Sequence, residues 1–141
     1  MEKIITVLHD GNYSCVVENS NGIHTFSQRG VADLYNMVKN QPRFLNGASI
    51  ADKVVGKGAA TLMILGGIKE LYADVISHPA LALLQENGIE PEFETVVPFI
   101  ENRDKSDWCP LEKICYEESS PDAILPLIEE FINRMRKLQN T

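Results

Sequence analysis

Basic charge is scarce in this sequence. Its 141 residues include 13 Lys and Arg against 20 Asp and Glu, for a net charge of −7. Because affinity for nucleic acid depends on neutralising phosphates, this balance argues against a nucleic-acid partner. No apolar run approaches the roughly 20 residues that a membrane-spanning helix needs, so we expect no membrane partner. The apolar stretch at residues 4–8 is also too short for the core of a signal peptide.

Cysteine is also rare, and the three cysteines form no C-x-x-C pair: Cys15, Cys109 and Cys115. An odd number of unpaired thiols is typical of a reducing compartment, which predicts a cytoplasmic protein. The three histidines show no metal-ligand spacing, and no P-loop or G-x-G-x-x-G pattern is present. The sequence therefore predicts no metal site and no cofactor.

The sequence has enough apolar residues, 44% of the total, for one domain spanning residues 1–141. Its patterns predict an α/β order that begins with a β-hairpin and ends with an amphipathic helix. In sequence order these are a hairpin at 14–26, helices at 31–38 and 49–65, a strand at 71–76, a helix from 77, a strand at 95–100 and a helix from 121. This order predicts a three-layer α/β/α sandwich with a mixed sheet of about four to five strands.

The predicted helix at 49–65 is almost wholly apolar, yet its first two turns contain Asp52, Lys53 and Lys57. Burying a lysine without a partner costs on the order of several kcal/mol, because the ammonium loses its hydration. The two lysines would also repel each other at i and i+4, near the positive end of the helix dipole. We therefore expect an anion to face them, either a bound ligand or carboxylates of the protein itself.

Three blocks of this sequence together resemble an uncharacterised prokaryotic domain family that is placed in the cytidine-deaminase-like superfamily. The blocks are G-A-S-I-A-D-K-V-V-G-K at 47–57, V-I-S at 75–77, and N-R-D at 102–104 followed by C-P-L-E at 109–112. The resemblance covers residues 1 to about 117. It implies a cytidine-deaminase-like fold, with residues 117–141 as a C-terminal helical addition.

The zinc-binding pattern of true deaminases is missing from the corresponding helix starts. A zinc deaminase needs a His or Cys ligand two residues before a catalytic Glu, and P-C-x-x-C at the next helix. Here those positions read Ala51-Asp-Lys53 and Ser77-His-Pro-Ala-Leu81. We therefore expect no zinc deaminase chemistry, since a fold does not carry a function without its site.

The resemblance instead implies a polar pocket where two helix starts meet under a loop. Its ligand-binding residues would be Lys53, Lys57, Ser77, Asn102, Arg103 and Asp104, and its catalytic candidates Cys109, Asp52 and Glu112. Cationic side chains and helix-start amides suit a phosphate or carboxylate. The alternative is an internal salt-bridge network, in which the lysines pair with nearby carboxylates.

Several of these residues also have simpler structural interpretations. Cys109 before a predicted helix start is a candidate nucleophile or a small buried hydrophobe. Glu112 is a candidate general base or a helix cap, and Ser77 a helix N-cap. Gly56 and Gly58 favour close packing of another helix.

Three functions remain open at the level of the sequence. The first is a protein without catalytic zinc that binds a small anionic, nucleotide-like molecule. The second is a metal-independent transferase or hydrolase that uses Cys109 or Lys57. The third is a non-catalytic interaction module. A homodimer formed through the apolar C-terminal helix is a further, less favoured expectation.

Overall fold

A computed structural model describes residues 1–28, 31–102 and 104–139 of the chain. The six helices in these ranges are α1 (Glu2–Asp10), α2 (Ala32–Asn40), α3 (Lys57–Gly66), α4 (His78–Glu86), α5 (Pro110–Cys115) and α6 (Pro121–Gln139). The five strands are β1 (Cys15–Asn19), β2 (Gly22–Phe26), β3 (Ser49–Val55), β4 (Glu70–Ser77) and β5 (Glu92–Val97).

The strands form one mixed sheet in the order β2-β1-β3-β4-β5. β1 pairs antiparallel with β2 and with β3, whereas β3–β4 and β4–β5 are parallel. Helices α3 and α4 connect the parallel strands, as parallel pairing requires a crossover connection. The carboxyl ends of β3, β4 and β5 therefore lie at the same edge of the sheet.

Two separate hydrophobic cores place helices on both faces of the sheet. The smaller core joins α1 to the sheet through Ile4, Leu8, Val16, Ala51 and Tyr72. The larger core includes buried residues of α2, α3, α4, α5 and α6. This arrangement is the expected three-layer α/β sandwich. No helix in the described ranges is both long and apolar enough to cross a membrane.

The predicted helix at 49–65 is wrong in its first half, because Ser49–Val55 is strand β3. This strand lies in the middle of the sheet, paired with β1 on one side and β4 on the other. Ile50, Ala51 and Asp52 are all buried, so the strand lacks the polar alternation that would have identified it. The helix begins only at Lys57, after Gly56. Lys53 and Lys57 are therefore not neighbours on one helix.

Other local predictions are confirmed by the structure. The hairpin forms around Gly22, whose φ of +118° lies in the region that favours glycine. Ser77 is the N-cap of α4, and its hydroxyl accepts a hydrogen bond from the backbone N–H of Ala80. The last strand, predicted at 95–100, is β5 at Glu92–Val97. It ends before Pro98, which has no N–H for the sheet.

Candidate functional site

Three segments that follow neighbouring parallel strands meet at the carboxyl edge of the sheet. Lys57 opens α3 two residues after β3 ends, and Ser77 is both the last residue of β4 and the cap of α4. Ile100 follows β5. In open α/β sheets this edge is where ligands usually bind. The topology therefore brings together the start of α3, the start of α4 and the segment after β5.

Glu112 of α5 lies between these segments and bonds to all of them. Its Oε1 accepts the backbone N–H of Lys57 at 3.0 Å and the hydroxyl of Ser77 at 3.2 Å. Its Oε2 accepts the backbone N–H of Ile100 at 3.0 Å. The side chain is almost wholly buried, with 2% exposure. Glu112 therefore joins the starts of two helices to the loop after β5.

The Glu112 carboxylate occupies the position that an external anion would take. Helix N-termini favour negative charge because their first N–H groups have no partner within the helix. Here both oxygens already have backbone or hydroxyl donors. These bonds favour a capping role for Glu112 over its predicted role as a general base. The cap differs from the expected one, because Glu112 bonds to α3 and to the cap of α4 rather than to its own helix.

The glycines at the start of α3 allow this close approach. A Cβ added to Gly56 would lie 3.0 Å from Glu112 Oε2 and 3.2 Å from Ile100 Cγ1. At Gly58 the added Cβ would lie 2.6 Å from Leu111 Cδ2. The interpretation of these glycines as sites of tight helix packing is confirmed, and the packed helix is α5.

The ammonium of Lys57 contacts the other end of α5. Its Nζ donates to the backbone carbonyl of Tyr116 at 2.9 Å, and the residue is only 7% exposed. A cation at a helix C-terminus interacts favourably with the helix dipole. Within the described ranges Lys57 has no ion pair, so the predicted salt bridges to carboxylates are absent there. Lys53 lies elsewhere and donates to Asn12 after α1.

Asp52 forms a separate buried pair with Cys15. The two residues lie opposite each other on β3 and β1, and Asp52 accepts the backbone N–H of Val54 at 3.2 Å. Burial raises the pKa of the Asp52 carboxyl to about 7. Burial, followed by the nearby Asp52 charge, raises the pKa of the Cys15 thiol. No hydrogen bond in the described part of the chain joins Asp52 to Lys57 or Glu112.

The loop after β5 folds back on itself through its polar residues. Asn102 and Asp104 both accept the backbone N–H of Ser106, at 3.0 and 3.1 Å. Hydrogen bonds from the hydroxyl and the backbone N–H of Ser106 lower the pKa of the Asp104 carboxyl. Arg103, predicted as a ligand contact, lies outside the described residues.

Cys109 closes this loop at the start of α5. Its backbone N–H donates to the carbonyl of Ile100 at 2.7 Å, and it is the N-cap residue of the helix. It is half-buried, whereas Cys15 and Cys115 are buried. Burial raises the pKa of the Cys115 thiol to about 11. The three cysteines therefore differ in their access to reagents.

An aromatic cleft of about 280 Å³ lies beside the loop, and its residues were absent from the predicted site. The Trp108 ring stacks on Phe99 with centroids 4.6 Å apart, and it meets Tyr116 edge-on at 5.0 Å. Lys113 and Glu117 line the same cleft. One face of Trp108 is therefore packed against Phe99, which lies just before its own loop. Tyr116 gave no signal in the sequence, although its 50% exposure marks it in the structure.

A metal site would need several ligand side chains close together. Among residues 1–28, 31–102 and 104–139, no three His, Cys, Asp or Glu side chains are placed so that they could hold a metal ion. The predicted site residues instead divide into the Glu112 network, the Asp52–Cys15 pair, the Asn102–Asp104 loop and the Lys53–Asn12 contact.

Comparisons with known proteins agree on one family. No curated protein matches the sequence. The crystal structure of a DUF1893 family protein (TM1506) from Thermotoga maritima is 26% identical, with a TM-score of 0.84, and the similarity covers 92% of this chain and 87% of that one. The model of the family TM1506, domain of unknown function (DUF1893), matches residues 3–132. This match extends beyond residue 117, where the sequence predicted a C-terminal addition to begin. The chain belongs to the DUF1893 family.

Proposed function

We propose that this protein binds a small nucleotide-like metabolite in the aromatic cleft beside α5. The base of the ligand would pack against Trp108 and Tyr116, and its phosphate would contact Lys113. The observation that carries the proposal is the half-exposed Tyr116 ring, which is set edge-on to Trp108. Aromatic side chains bind bases by stacking, and each stacked base contributes about 1–3 kcal/mol.

The hydrogen bonds of Glu112 argue that a ligand would bind outside the helix starts and not between them. The carboxylate already satisfies the donors there, so an anionic ligand would have to displace a buried charge. The Lys57 ammonium donates to the backbone carbonyl of Tyr116, next to the cleft. Lys113 lines the cleft itself, so it is the lysine that would contact a bound ligand.

The position of Lys113 fits the contact with phosphate. Its Nζ lies 2.6 Å from Asp107 Oδ2, and both side chains are more than half exposed. Exposed ion pairs contribute about 0–1 kcal/mol, so a phosphate can compete with Asp107 for this lysine. Asp107 also accepts the backbone N–H of Trp108 at 2.8 Å, so one carboxylate contacts both Lys113 and the backbone of Trp108.

The proposed function does not use zinc-dependent deamination. The strand order with α3 and α4 starting at one sheet edge supports a cytidine-deaminase-like arrangement, as the sequence resemblance implied. At those helix starts the chain has Lys57 and Ser77 with the Glu112 carboxylate between them. A deaminase would need a zinc-bound water at this place.

Tryptophan fluorescence tests the proposal directly, because Trp108 is the one tryptophan of the sequence. Titration with AMP and CMP should change its emission in a saturable way, whereas ribose 5-phosphate, which lacks a base, should not. Replacing Tyr116→Ala should weaken nucleotide binding at least tenfold, equivalent to about 1.4 kcal/mol. Tyr116→Phe keeps the ring and should retain binding.

The contribution of Lys113 is separable from that of the rings. Lys113→Met should weaken AMP binding and leave adenosine binding unchanged, since only AMP carries a phosphate. Glu118→Gln, an exposed change outside the cleft, is the matched control. Isothermal titration calorimetry should give the same nucleotide affinities as the fluorescence titrations. Absence of saturable binding for every nucleotide, or a Tyr116→Ala variant with unaltered affinity, would overturn the proposal.

The exposure of Cys109 favours a second candidate, a metal-independent transferase or hydrolase. Cys109 is half-buried at the start of α5, and the other two cysteines are buried. A nucleophilic thiol must be accessible and must ionise. An electrophilic activity-based probe that labels Cys109 selectively, and is blocked by the metabolite bound in the cleft, would support this candidate. Labelling that is insensitive to such metabolites would count against it.

A further inference from the structure

A second cleft lies at the opposite end of the sheet, between β2, α2 and the segment that follows α2. Its volume is about 300 Å³, and it is open to solvent. Three rings, two amides and one carboxylate line most of it: His24, Phe26, Phe44, Asn36, Gln41 and Asp33. None of these residues belongs to the Glu112 network or to the aromatic cleft beside α5.

The three rings form a corner. The His24 and Phe44 centroids are 4.7 Å apart with an interplanar angle of 58°, and those of Phe26 and Phe44 are 6.4 Å apart at 78°. All three side chains are half-buried. These three rings line an open volume, and the face of a Phe ring attracts an organic cation.

Asn19 contacts the His24 ring and the backbone of Phe44. Its side-chain Nδ2 donates to the backbone carbonyl of Phe44 at 3.1 Å, and its Oδ1 lies 3.1 Å from His24 Nε2. The third ring belongs to Phe26, whose backbone lies on β2 opposite Cys15 of β1. The corner is therefore formed before any ligand arrives, which lowers the entropic cost of binding.

Asp33 provides the charge that completes the site. It lies in the first turn of α2 and lines the cleft, and it has no ion pair with any basic side chain in the described ranges. Its charge also acts on the buried Cys15, which places the carboxylate close to the sheet. A carboxylate facing an aromatic corner selects a cation with an apolar surface over a metal ion or an anion.

We infer that this cleft is a binding site for a small organic ammonium ion. Aromatic faces would contact its alkyl groups, and Asp33 would neutralise its charge. The inference does not depend on the proposed nucleotide site, because the two clefts share no residue.

Two-dimensional ¹H–¹⁵N NMR of the full chain with tetramethylammonium as the probe tests this inference. Saturable shifts should appear at the amides of His24, Phe26 and Phe44, while the indole of Trp108 should not move. tert-Butanol has a similar apolar surface without the charge, and it should bind at least fivefold more weakly. Asp33→Asn and Phe44→Leu should each weaken binding of the probe at least fivefold.

Two controls keep the test decisive. Glu117→Gln removes a carboxylate from the other cleft and should leave the probe's affinity unchanged. Circular dichroism establishes that each variant is folded. If Phe44→Leu unfolds the chain, the milder Asp33→Asn carries the test, since Asp33 is half-exposed. Equal binding of tert-butanol and tetramethylammonium, an unaffected Asp33→Asn variant, or no saturable shift would each overturn the inference.

Discussion

Glu112 Oε1 lies 3.0 Å from the backbone nitrogen of Lys57, so a carboxylate of α5 caps the first turn of α3. The same side chain also accepts hydrogen bonds from Ser77 and Ile100. A buried acid that satisfies three donors is expensive to remove, because each donor left unpaired costs about 1–3 kcal/mol. This relationship determines how the candidate site responds to substitution.

Replacement of Glu112 should be among the most destabilising single changes at this edge of the sheet. Glu112→Ala leaves the amides of Lys57 and Ile100 without an acceptor, and we expect a loss of about 3–5 kcal/mol in the free energy of unfolding. Urea denaturation measures it. Glu118→Ala, at an exposed position nearby, should change stability by less than about 0.5 kcal/mol. A Glu112→Ala protein as stable as the control would show that water replaces the carboxylate at no cost.

The two lysines that the sequence placed on one helix should behave differently. Lys57→Met removes the hydrogen bond from the buried ammonium to the Tyr116 carbonyl, and it should lower the free energy of unfolding by about 1–3 kcal/mol. Lys53→Met removes only a peripheral bond to Asn12 and should cost less than about 1 kcal/mol. Thermal and urea denaturation measures the stability of the two variants, with Lys53→Met as the matched control. Greater stability of Lys57→Met than of the parent would contradict the capping role of the ammonium.

Asp52 predicts a specific dependence of stability on pH. Its folded-state pKa of about 7 exceeds that of an unfolded Asp, so the folded state binds the proton more tightly. Its stabilising contribution is complete below about pH 4 and is lost as pH rises through 7. The charged and titratable groups that act on this site are Cys15, Asp33 and Asp74.

The variant Asp52→Asn should isolate this effect, since its amide oxygen can still accept the Val54 N–H. Relative to the variant, the parent should lose about 2–3 kcal/mol of stability between pH 5 and pH 8. Comparing the two proteins cancels the titration of all other groups. A difference that stays constant across this range would mean that the Asp52 carboxyl titrates normally.

The cysteines should react with iodoacetamide in a defined order. Cys109 is half-buried and should react first. Burial raises the pKa of Cys15 and raises that of Cys115 to about 11, so few thiolates form there at pH 8. Peptide mapping by mass spectrometry gives the three rates, and Cys109→Ser is the control for assignment. Faster labelling of Cys115 than of Cys109 would reverse the predicted order.

The sequence predicted the hairpin, α2, α4 and the class of fold, because each of these has a clear local signal. It did not predict β3, because a central strand that is buried on both faces has no alternation to distinguish it from a buried helix. Treating Ser49–Val55 as helix in turn produced the expected repulsion between Lys53 and Lys57. The error in one element therefore became an error about the electrostatics of the site.

The sequence resemblance grouped Lys57 and Ser77 with Asp52 and Lys53, whereas Asp52 and Lys53 make separate contacts and Glu112 bonds to Lys57 and Ser77. Glu112 bonds to the backbone of Lys57 instead of its ammonium, and it also accepts the backbone N–H of Ile100. The aromatic cleft was missed for a similar reason. Trp108 and Tyr116 are eight positions apart and meet only because α5 turns the chain between them.

The three donors on Glu112 also have a consequence for local motion. The amides of Lys57 and Ile100 are far apart in the sequence, yet one carboxylate accepts from both. Withdrawal of that side chain would expose both amides to solvent in a single event, so they should exchange their hydrogens with the same opening free energy. The start of α3 and the loop after β5 would then open as one cooperative unit, and hydrogen exchange at the two amides would report the same fluctuation.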